Sequence, residues 1–142
     1  MMSLYDVPLL KIPVDGEGGS NVIRNLKECS KDISSLMIWT DCDREGEAIG
    51  FDVIDAIGKE SLDIYRAKFS ALTKKDIEDA IDNLEKPQKS LSDAVKVRQE
   101  VDLRIGASFT RFQTLALKKE LPNEKSVLSY GSCQFPTLGF VV

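Results

Sequence analysis

The sequence predicts an α/β fold in which a parallel pair of strands is flanked by helices and followed by a helical segment. Residues 36–40 are an uncharged run too short for a helix, and residues 64–69 alternate in polarity, so both stretches are typical of strands. Residues 46–57 and 73–86 each come after one of these strands and carry apolar residues at helical spacing. This strand–helix–strand–helix order predicts a parallel sheet with helices packed on it.

Length and composition limit the classes of protein that fit. A chain of 142 residues suits one core with at most a small annex. It has no signal peptide and no long apolar span, which predicts a soluble intracellular protein without a membrane partner. The absence of histidine, and of any Cys-x-x-Cys among three cysteines, argues against a zinc site. The net charge of −4 means that any DNA contact needs a local basic stripe or a metal-shielded site.

The first 35 residues predict a loop and then a short helix. Residues 1–19 contain two prolines and the glycine-rich stretch from Asp15 to Gly19, and we interpret them as a linker. Asn21 to Cys29 place their apolar residues at helical spacing. This spacing predicts a short amphipathic helix that packs onto the sheet.

The stretch from Leu36 to Gly50 organises the rest of the chain. Its first five residues form the predicted buried strand, and three acids, Asp41, Asp43 and Glu45, follow at alternate positions. In an extended chain alternate side chains point the same way, so these carboxylates converge at the carboxyl end of the strand. Converging carboxylates repel one another unless a cation offsets their charge, and hard oxygen ligands suit Mg²⁺. Because open α/β sheets place their sites at this end, we predict a metal site here.

Two other interpretations of the acids stay open on the residues alone. Acids also gather at helix N-termini without any metal, because the helix dipole favours them there. A calcium loop of the EF-hand type is the second, since Asp41, Asp43, Glu45 and Gly46 fit its positions 1, 3, 5 and 6, although Asp52 stands where the pattern has glutamate. The corresponding function is a non-catalytic ion-binding module.

Local signals place the next helix and strand. Gly46 frees the backbone to turn, and the helix that begins there stops at Gly58. The alternation of residues 64–69 then puts Arg66 on the outer face of the second strand and turns three side chains toward a core, those of Tyr65, Ala67 and Phe69.

Two capping patterns place the later helices. Thr73 and Ser90 each have an aspartate three residues on, which is typical of a helix start. Pro87 ends the first of these helices, and the second runs nearly to Leu121.

Two sets of charged residues mark the long helix. Arg98 and Asp102 fall within its apolar sector one turn apart, which predicts an inward-facing pair, either as a structural ion pair or as the lining of a groove. Arg104, Arg111 and Lys118 recur every seven residues beside the apolar face. This stripe is either a solvated flank or a ridge that contacts phosphates.

The last stretch predicts a turn and a helix start. Tyr130 and Gly131 form the turn, and Ser132 caps a helix with proline in its first turns. With Gln134 and Thr137, this helix start is suited to holding a phosphate or a sugar edge.

Three segments carry a resemblance to a known family. The pattern Asp41-x-Asp43-x-Glu45-Gly46-Glu47 after a strand resembles the Toprim signature. Residues 97–106 and 129–138 resemble segments of type IA DNA topoisomerases, and the similarity is closest to the eukaryotic topoisomerase III branch. It covers residues 39–142 well and the first 35 weakly. The resemblance implies a Toprim-like (Rossmann-like) domain lacking its first strand over residues 1–86, and the start of a helical DNA-groove domain over residues 87–142.

The resemblance also implies an activity. Type IA topoisomerases cut one DNA strand with a tyrosine, pass another strand and reseal the break, and Mg²⁺ on the Toprim acids serves mainly resealing. The implied catalytic and metal-binding residues are Asp41, Asp43 and Glu45, whereas Glu47 supports the helix start or the ligands. The residues implied to line the groove for single-stranded DNA are Arg98, Asp102, Arg104 and Gln134.

The family further implies partners and a location. Single-stranded DNA is the expected substrate, with RNA as a second class, and the expected protein partners are the rest of the enzyme and helicase or accessory proteins. The implied location is the nucleus, or the cytoplasm if the source is not eukaryotic. The first-strand glutamate and the tyrosine followed by Arg-Thr have no counterpart here, so we expect a fragment of an isomerase that is inactive alone.

Overall fold

The structure is a computed structural model that describes residues 6–12, 19–123 and 126–142. The predicted linker over residues 1–19 lies outside these ranges except for residues 6–12 and Gly19. The named elements, in chain order, are α1 (Gly19–Cys29), β1 (Ser35–Ile38), α2 (Arg44–Ile57), β2 (Asp63–Arg66), α3 (Lys74–Asp82), α4 (Lys89–Ala116) and α5 (Gln134–Val141).

The two strands form a parallel pair, which confirms the predicted α/β class. β1 and β2 pair over their whole length, with Ile38 opposite Arg66 at the carboxyl end. β1 ends at Ile38, two residues before the predicted Thr40, and Ile38 is the buried residue of that strand. Met37 and Trp39 keep 48% and 40% of their surface exposed, so the strand that we predicted to be buried is buried on one face only.

α2 begins two residues earlier than predicted and ends where predicted. Asp43 is its N-cap, and the Asp43 carboxylate accepts a hydrogen bond from the Gly46 amide at 2.7 Å. This bond satisfies one of the amides left free at a helix start and places the first turn at Arg44. At the other end Gly58 has a φ of 64°, the left-handed conformation that glycine adopts most readily.

α2 packs against both β1 and α1. A Cβ added at Gly50 would lie 3.1 Å from the Ile38 side chain, so a glycine allows the close approach of helix to strand. α1 lies against α2. The Lys59 amine donates at 2.9–3.1 Å to three carbonyls of the turn after α1, those of Ser30, Lys31 and Ile33. Lys59 thus satisfies main-chain carbonyls of the turn that connects α1 to β1.

The burial of Arg66 shows that the alternation predicted for β2 is wrong. Only 1% of Arg66 is exposed, and Ala67 beside it is fully buried. A buried guanidinium needs a partner, and Arg66 Nε lies 2.9 Å from the carboxylate of Glu47, which is 3% exposed. The Arg66 main chain is also paired twice with Glu85, N–H to carbonyl at 2.8 Å and 3.0 Å.

The chain divides into two compact units. The first is residues 11–96 and holds both strands, α1 to α3 and the first eight residues of α4. The second unit is made of two segments, one within the first ten residues and the other within residues 97–142. It holds the rest of α4 and all of α5. The domain boundary that we predicted between residues 86 and 87 stays a prediction.

In the second unit, the predicted apolar face of α4 is largely exposed. α4 ends at Ala116, before the predicted Leu121. Phe109 and Phe112 keep 44% and 54% of their surface exposed, and Ser108 is the buried side chain of this half of the helix. Within the described ranges, we find no helix long and apolar enough to cross a membrane.

Substitution of the two predicted cap residues should give different results. Thr73 is the N-cap of α3 and accepts a hydrogen bond from the Asp76 amide at 3.2 Å, whereas Ser90 lies inside α4, one residue after its start. Thr73→Ala should therefore lower the free energy of unfolding by about 1 kcal/mol. Ser90→Ala should leave it unchanged or raise it by a few tenths of a kcal/mol, because alanine favours a helix interior. Urea unfolding of both variants measures the difference, and equal losses would contradict the observed start of α4.

Candidate functional site

The acidic loop, defined here as residues 41–45, joins β1 to α2 at the carboxyl end of the strand. Asp41 and Asp43 are exposed and Glu45 is partly buried. One carboxylate oxygen of Asp43 accepts the cap bond of α2, and Glu45 belongs to the first turn of that helix. Cys42 and Asp43 lie in a bend and helical geometry begins at Arg44, so the three acids do not share the alternation of one strand.

Gly46 allows the loop to fold back over the start of α2. A Cβ added at Gly46 would lie 2.0 Å from the carbonyl oxygen of Asp41 and 2.9 Å from its carbonyl carbon, so a residue with a side chain does not fit. Thr40 closes the same turn, since its hydroxyl donates to the Gly46 carbonyl at 2.7 Å. The backbone of Asp41 is thus pressed against the first turn of the helix.

The guanidinium of Arg66 binds the main chain of the acidic loop. Its Nη2 donates to the Asp41 carbonyl at 2.6 Å, and its Nη1 donates to the carbonyls of Ala67 at 2.9 Å and Ile38 at 3.3 Å. Its Nε donates to Glu47 at 2.9 Å. One side chain of β2 therefore fixes the end of β1, the acidic loop and α2 together.

Glu47 is a supporting residue and not an exposed ligand. One carboxylate oxygen accepts from Arg66, and the other accepts from the backbone amide of Gln88, which immediately precedes α4. Both oxygens are thus engaged inside the protein. This agrees with the interpretation that Glu47 supports the helix start or the ligands.

Cys42 and Trp39 anchor the loop on its other side, which the sequence analysis missed. The Cys42 thiol donates to the Phe69 carbonyl at 2.9 Å and accepts from the Phe69 amide at 3.0 Å. The Trp39 ring stacks on that of Phe69, with centroids 5.7 Å apart. In the sequence, only the apolar alternation around Phe69 indicated that this residue packs inward. That pattern does not identify the Cys42 thiol as its partner.

The oxygen donors of the loop suit Mg²⁺, but the predicted three-carboxylate cluster is not assembled. In the part of the chain that the structure describes, no three acidic, cysteine or histidine side chains are grouped to hold a metal. Mg²⁺ is commonly held by one or two carboxylates, water and phosphate oxygens. Asp41, Asp43 and Glu45 therefore fit this cation by donor chemistry, without the convergence that the alternation predicted.

The calcium-loop alternative is not supported. An EF-hand loop is twelve residues long and lies between two helices. Here the acids follow strand β1, and α2 begins at Arg44, within the stretch from Asp41 to Asp52 that the loop would have to occupy.

The charged residues predicted to face inward from α4 are on its surface. Arg98 and Asp102 are both exposed, so they do not form a buried structural pair, and their place in the lining of a groove stays a prediction. Asp102 accepts a hydrogen bond from the Ser132 hydroxyl. The predicted cap by Ser132 is wrong, because the N-cap position of α5 is Cys133, whose side chain makes no cap bond.

The basic stripe of α4 is partly committed to contacts within the protein. Arg104 Nε donates to Glu100 at 2.8 Å and Nη2 donates to the Val7 carbonyl at 3.0 Å, which leaves 17% of the side chain exposed. Arg111 and Lys118 are exposed. Arg104 therefore ties Val7 to α4. Of the exposed basic residues of the stripe, Arg111 lies farther along the helix and Lys118 lies beyond its end at Ala116.

An aromatic stack in the second unit was not predicted. The Tyr130 ring stacks between those of Phe109 and Phe135, with centroids 4.9 Å and 5.0 Å apart and interplanar angles of 27°. Phe109 and Phe135 remain 44% and 51% exposed. Periodicity alone could not bring together rings that are separated by 21 and five residues in the sequence.

Two threonines of α4 hold the segment that carries Tyr130. The amides of Leu128 and Tyr130 donate to the hydroxyls of Thr114 and Thr110 at 3.0 Å and 2.8 Å. Because the acceptors are one helical turn apart, the segment runs along the helix. Threonines spaced four apart opposite an alternating segment are the signal that sequence reasoning could have used.

Charge is distributed unevenly along the sequence. Residues 97–142 carry six Lys and Arg against four Asp and Glu, whereas residues 1–96 carry 13 against 19. With Asp6 of the first ten residues added, the second unit has six basic against five acidic residues, so the acidic excess of the chain lies in residues 11–96.

The comparisons with known proteins cover nearly the whole chain. The family described as Toprim domain matches residues 11–72, and that described as DNA topoisomerase matches residues 86–142. Human DNA topoisomerase 3-alpha is 51% identical over 126 residues, which are 86% of this chain and 13% of the relative. DNA topoisomerase 3-alpha of Arabidopsis thaliana is 47% identical over 148 residues, 98% of this chain and 16% of the relative. The 3-beta protein of the same plant is 42% identical over 144 residues, 98% and 16%. The chain thus spans 13–16% of the length of these relatives.

Replacing Gly46 should disrupt the acidic loop. Gly46→Ala places a Cβ against the Asp41 backbone and should lower the free energy of unfolding by about 1–3 kcal/mol, the usual cost of overpacking. Gly139→Ala is the matched control, since nothing lies within 4 Å of an added Cβ there and alanine favours a helix interior by about 0.5–1 kcal/mol. Thermal and urea unfolding measure both, and a Gly46→Ala variant as stable as the parent would refute the close approach.

Proposed function

We infer the function of this chain from its family: it belongs to the type IA DNA topoisomerases, in the topoisomerase III branch, and spans a part of such an enzyme. We propose that the whole enzyme cuts one DNA strand, passes another strand through the break and reseals it. The observation that carries this proposal is the succession, within one chain, of an acidic loop at the carboxyl end of β1 and the topoisomerase match over α4 and α5.

We propose that Asp41, Asp43 and Glu45 hold Mg²⁺ during resealing. When bound, the ion supplies charge stabilisation to phosphate oxygens. The protein contributes the position of the ligands, because the Asp41 main chain is fixed by Arg66 and the Asp43 carboxylate is oriented by its cap bond to Gly46. Exposure of Asp41 and Asp43 supports the proposal, since a DNA phosphate can reach them.

The second unit is proposed to bind single-stranded DNA. Its exposed Arg111 and Lys118 suit phosphate contacts. The exposed faces of Phe109 and Phe135 suit stacking with unpaired bases, which are available only in a single strand. Arg98 and Gln134 are exposed and are proposed as direct contacts. Asp102 and Arg104 are proposed to shape the groove, because the first accepts from Ser132 and the second pairs with Glu100.

The remaining partners and the location are proposals from the family. RNA is a second substrate class, and the rest of the enzyme together with helicase or accessory proteins are the proposed protein partners. A nuclear location is supported by the eukaryotic origin of the relatives named above.

Asp43→Asn should separate the metal role of this residue from its structural role. Asparagine caps a helix about as well as aspartate, so the fold should persist. Loss of one charge beside the cation should slow resealing by the whole enzyme about tenfold or more, with little change in DNA affinity. The measurement compares trapped cleaved DNA with resealed product over a range of Mg²⁺ concentrations.

Asp52→Asn is the control for Asp43→Asn. It removes the same charge from the exposed surface of α2, where Asp52 pairs with Lys11 at 2.9 Å. It should leave resealing unchanged. A parallel fall of DNA affinity and resealing in Asp43→Asn would count against the metal role.

An abasic oligonucleotide should test the aromatic stack. The full chain should bind an oligothymidylate about 5- to 150-fold more tightly than an abasic strand of equal length, because one stacked base contributes about 1–3 kcal/mol. Phe135→Leu should reduce this ratio toward one. Phe140→Leu should keep it, since Phe140 lies in the same helix, is 92% exposed and has no place in the stack. Equal affinity of the unmodified chain for both strands would refute stacking.

A further inference from the structure

We propose that Arg66 is a positioning residue for the acidic loop, and that its guanidinium sets the affinity of Asp41 and Asp43 for Mg²⁺. This inference rests on the proposed metal role of the loop. Arg66 lies in β2, outside the acidic signature, and its sequence pattern did not indicate this function.

The contacts of Arg66 identify what it positions. The guanidinium makes four hydrogen bonds, and three of their acceptors belong to β1, the acidic loop and α2: Ile38, Asp41 and Glu47. The bond to the Asp41 carbonyl, at 2.6 Å, is the shortest of the four. Because the contact is to the main chain, it orients Asp41 without occupying its carboxylate.

The geometry requires arginine in particular. A guanidinium is a planar fork with five donors, so it can reach a carboxylate and three carbonyls that lie in different directions. A lysine ammonium carries the same charge but has three donors on one atom and cannot serve acceptors on opposite sides of the fork. Arg66→Lys therefore keeps the buried positive charge but loses some of the four hydrogen bonds. The main chain of Asp41 is then less restrained.

Glu47 orients the guanidinium in turn. Its carboxylate is buried between Arg66 Nε and the amide of Gln88, so neither partner can shift without losing a charge-assisted bond. Residues that orient metal ligands from behind typically change metal affinity by about 10- to 100-fold when they are altered. We expect an effect of this size at Arg66.

Isothermal titration of the full chain with MgCl₂ tests the inference. Arg66→Lys should raise the Mg²⁺ dissociation constant about tenfold or more. Lys68→Ala controls for a change of charge near the loop: it removes the positive charge of an exposed pair with Glu85, two positions from Arg66, and it should not raise the constant. The near-ultraviolet circular dichroism of Trp39, the single tryptophan, reports whether the ring still packs on Phe69.

A second readout follows the loop without metal. In a Cys29→Ser, Cys133→Ser background, alkylation of Cys42 should be faster in Arg66→Lys than in the parent, because a released loop gives up its thiol contacts to Phe69. If Arg66→Lys lacks the native Trp39 signal, Glu47→Asp takes its place. That variant keeps both charges and withdraws the carboxylate from Arg66, and it should shift both readouts the same way.

The outcomes separate this inference from the proposed function. If the parent chain binds Mg²⁺ and Asp43→Asn does not, the metal role stands. An unchanged Mg²⁺ constant in a natively packed Arg66→Lys then overturns the positioning role alone. A parent chain that binds no Mg²⁺ overturns the inference for this chain, whereas the metal role in the whole enzyme is decided by the resealing of Asp43→Asn.

Discussion

The buried ion pair between Arg66 and Glu47 is the interaction on which the first unit depends. Both side chains are nearly inaccessible, at 1% and 3% exposure, so folding removes two charges from water. Such a cost is offset only when the remaining donors and acceptors are also satisfied. Here the guanidinium reaches three carbonyls as well, and the second carboxylate oxygen reaches the Gln88 amide. Losing one partner of a pair like this typically costs about 3–5 kcal/mol, because the other charge is left unpaired.

The pair matters more because the apolar core around it is small. A two-stranded sheet is marginal by itself, and each strand here has four residues. The buried apolar side chains of the described residues are mostly short: Ile38, Ala48, Ile57, Ala67, Ala80 and Val95. Apolar burial of this extent favours compaction but discriminates weakly among loop conformations. The directional bonds of Arg66 therefore select the conformation in which the acidic loop lies over the start of α2.

The sequence predicts the features that depend on neighbouring residues, and it misses those that depend on distant ones. The α/β order, the stop at Gly58 and the cap at Thr73 follow from local chemistry, and the structure contains all three. Arg66 was placed on the wrong face because alternation puts a charge outward unless a partner is known, and Glu47 lies 19 residues away. The convergence of the acids failed for a local reason, since Asp43 caps α2 and helical geometry begins at Arg44. The aromatic stack required knowing that residues 126–131 run along α4.

The N-terminus of α2 also reduces the repulsion among the acids of the loop. Asp43 and Glu45 lie at the positive end of a helix dipole, and the Arg66 cation lies beneath the Asp41 carbonyl. These fixed charges offset part of the repulsion among the acids, which the sequence alone predicted that a bound cation would offset. A cation that approaches Asp43 must share its carboxylate with the Gly46 amide, which donates at 2.7 Å. A divalent cation bound at Asp43, as proposed, would therefore compete with the first turn of the helix for the same carboxylate.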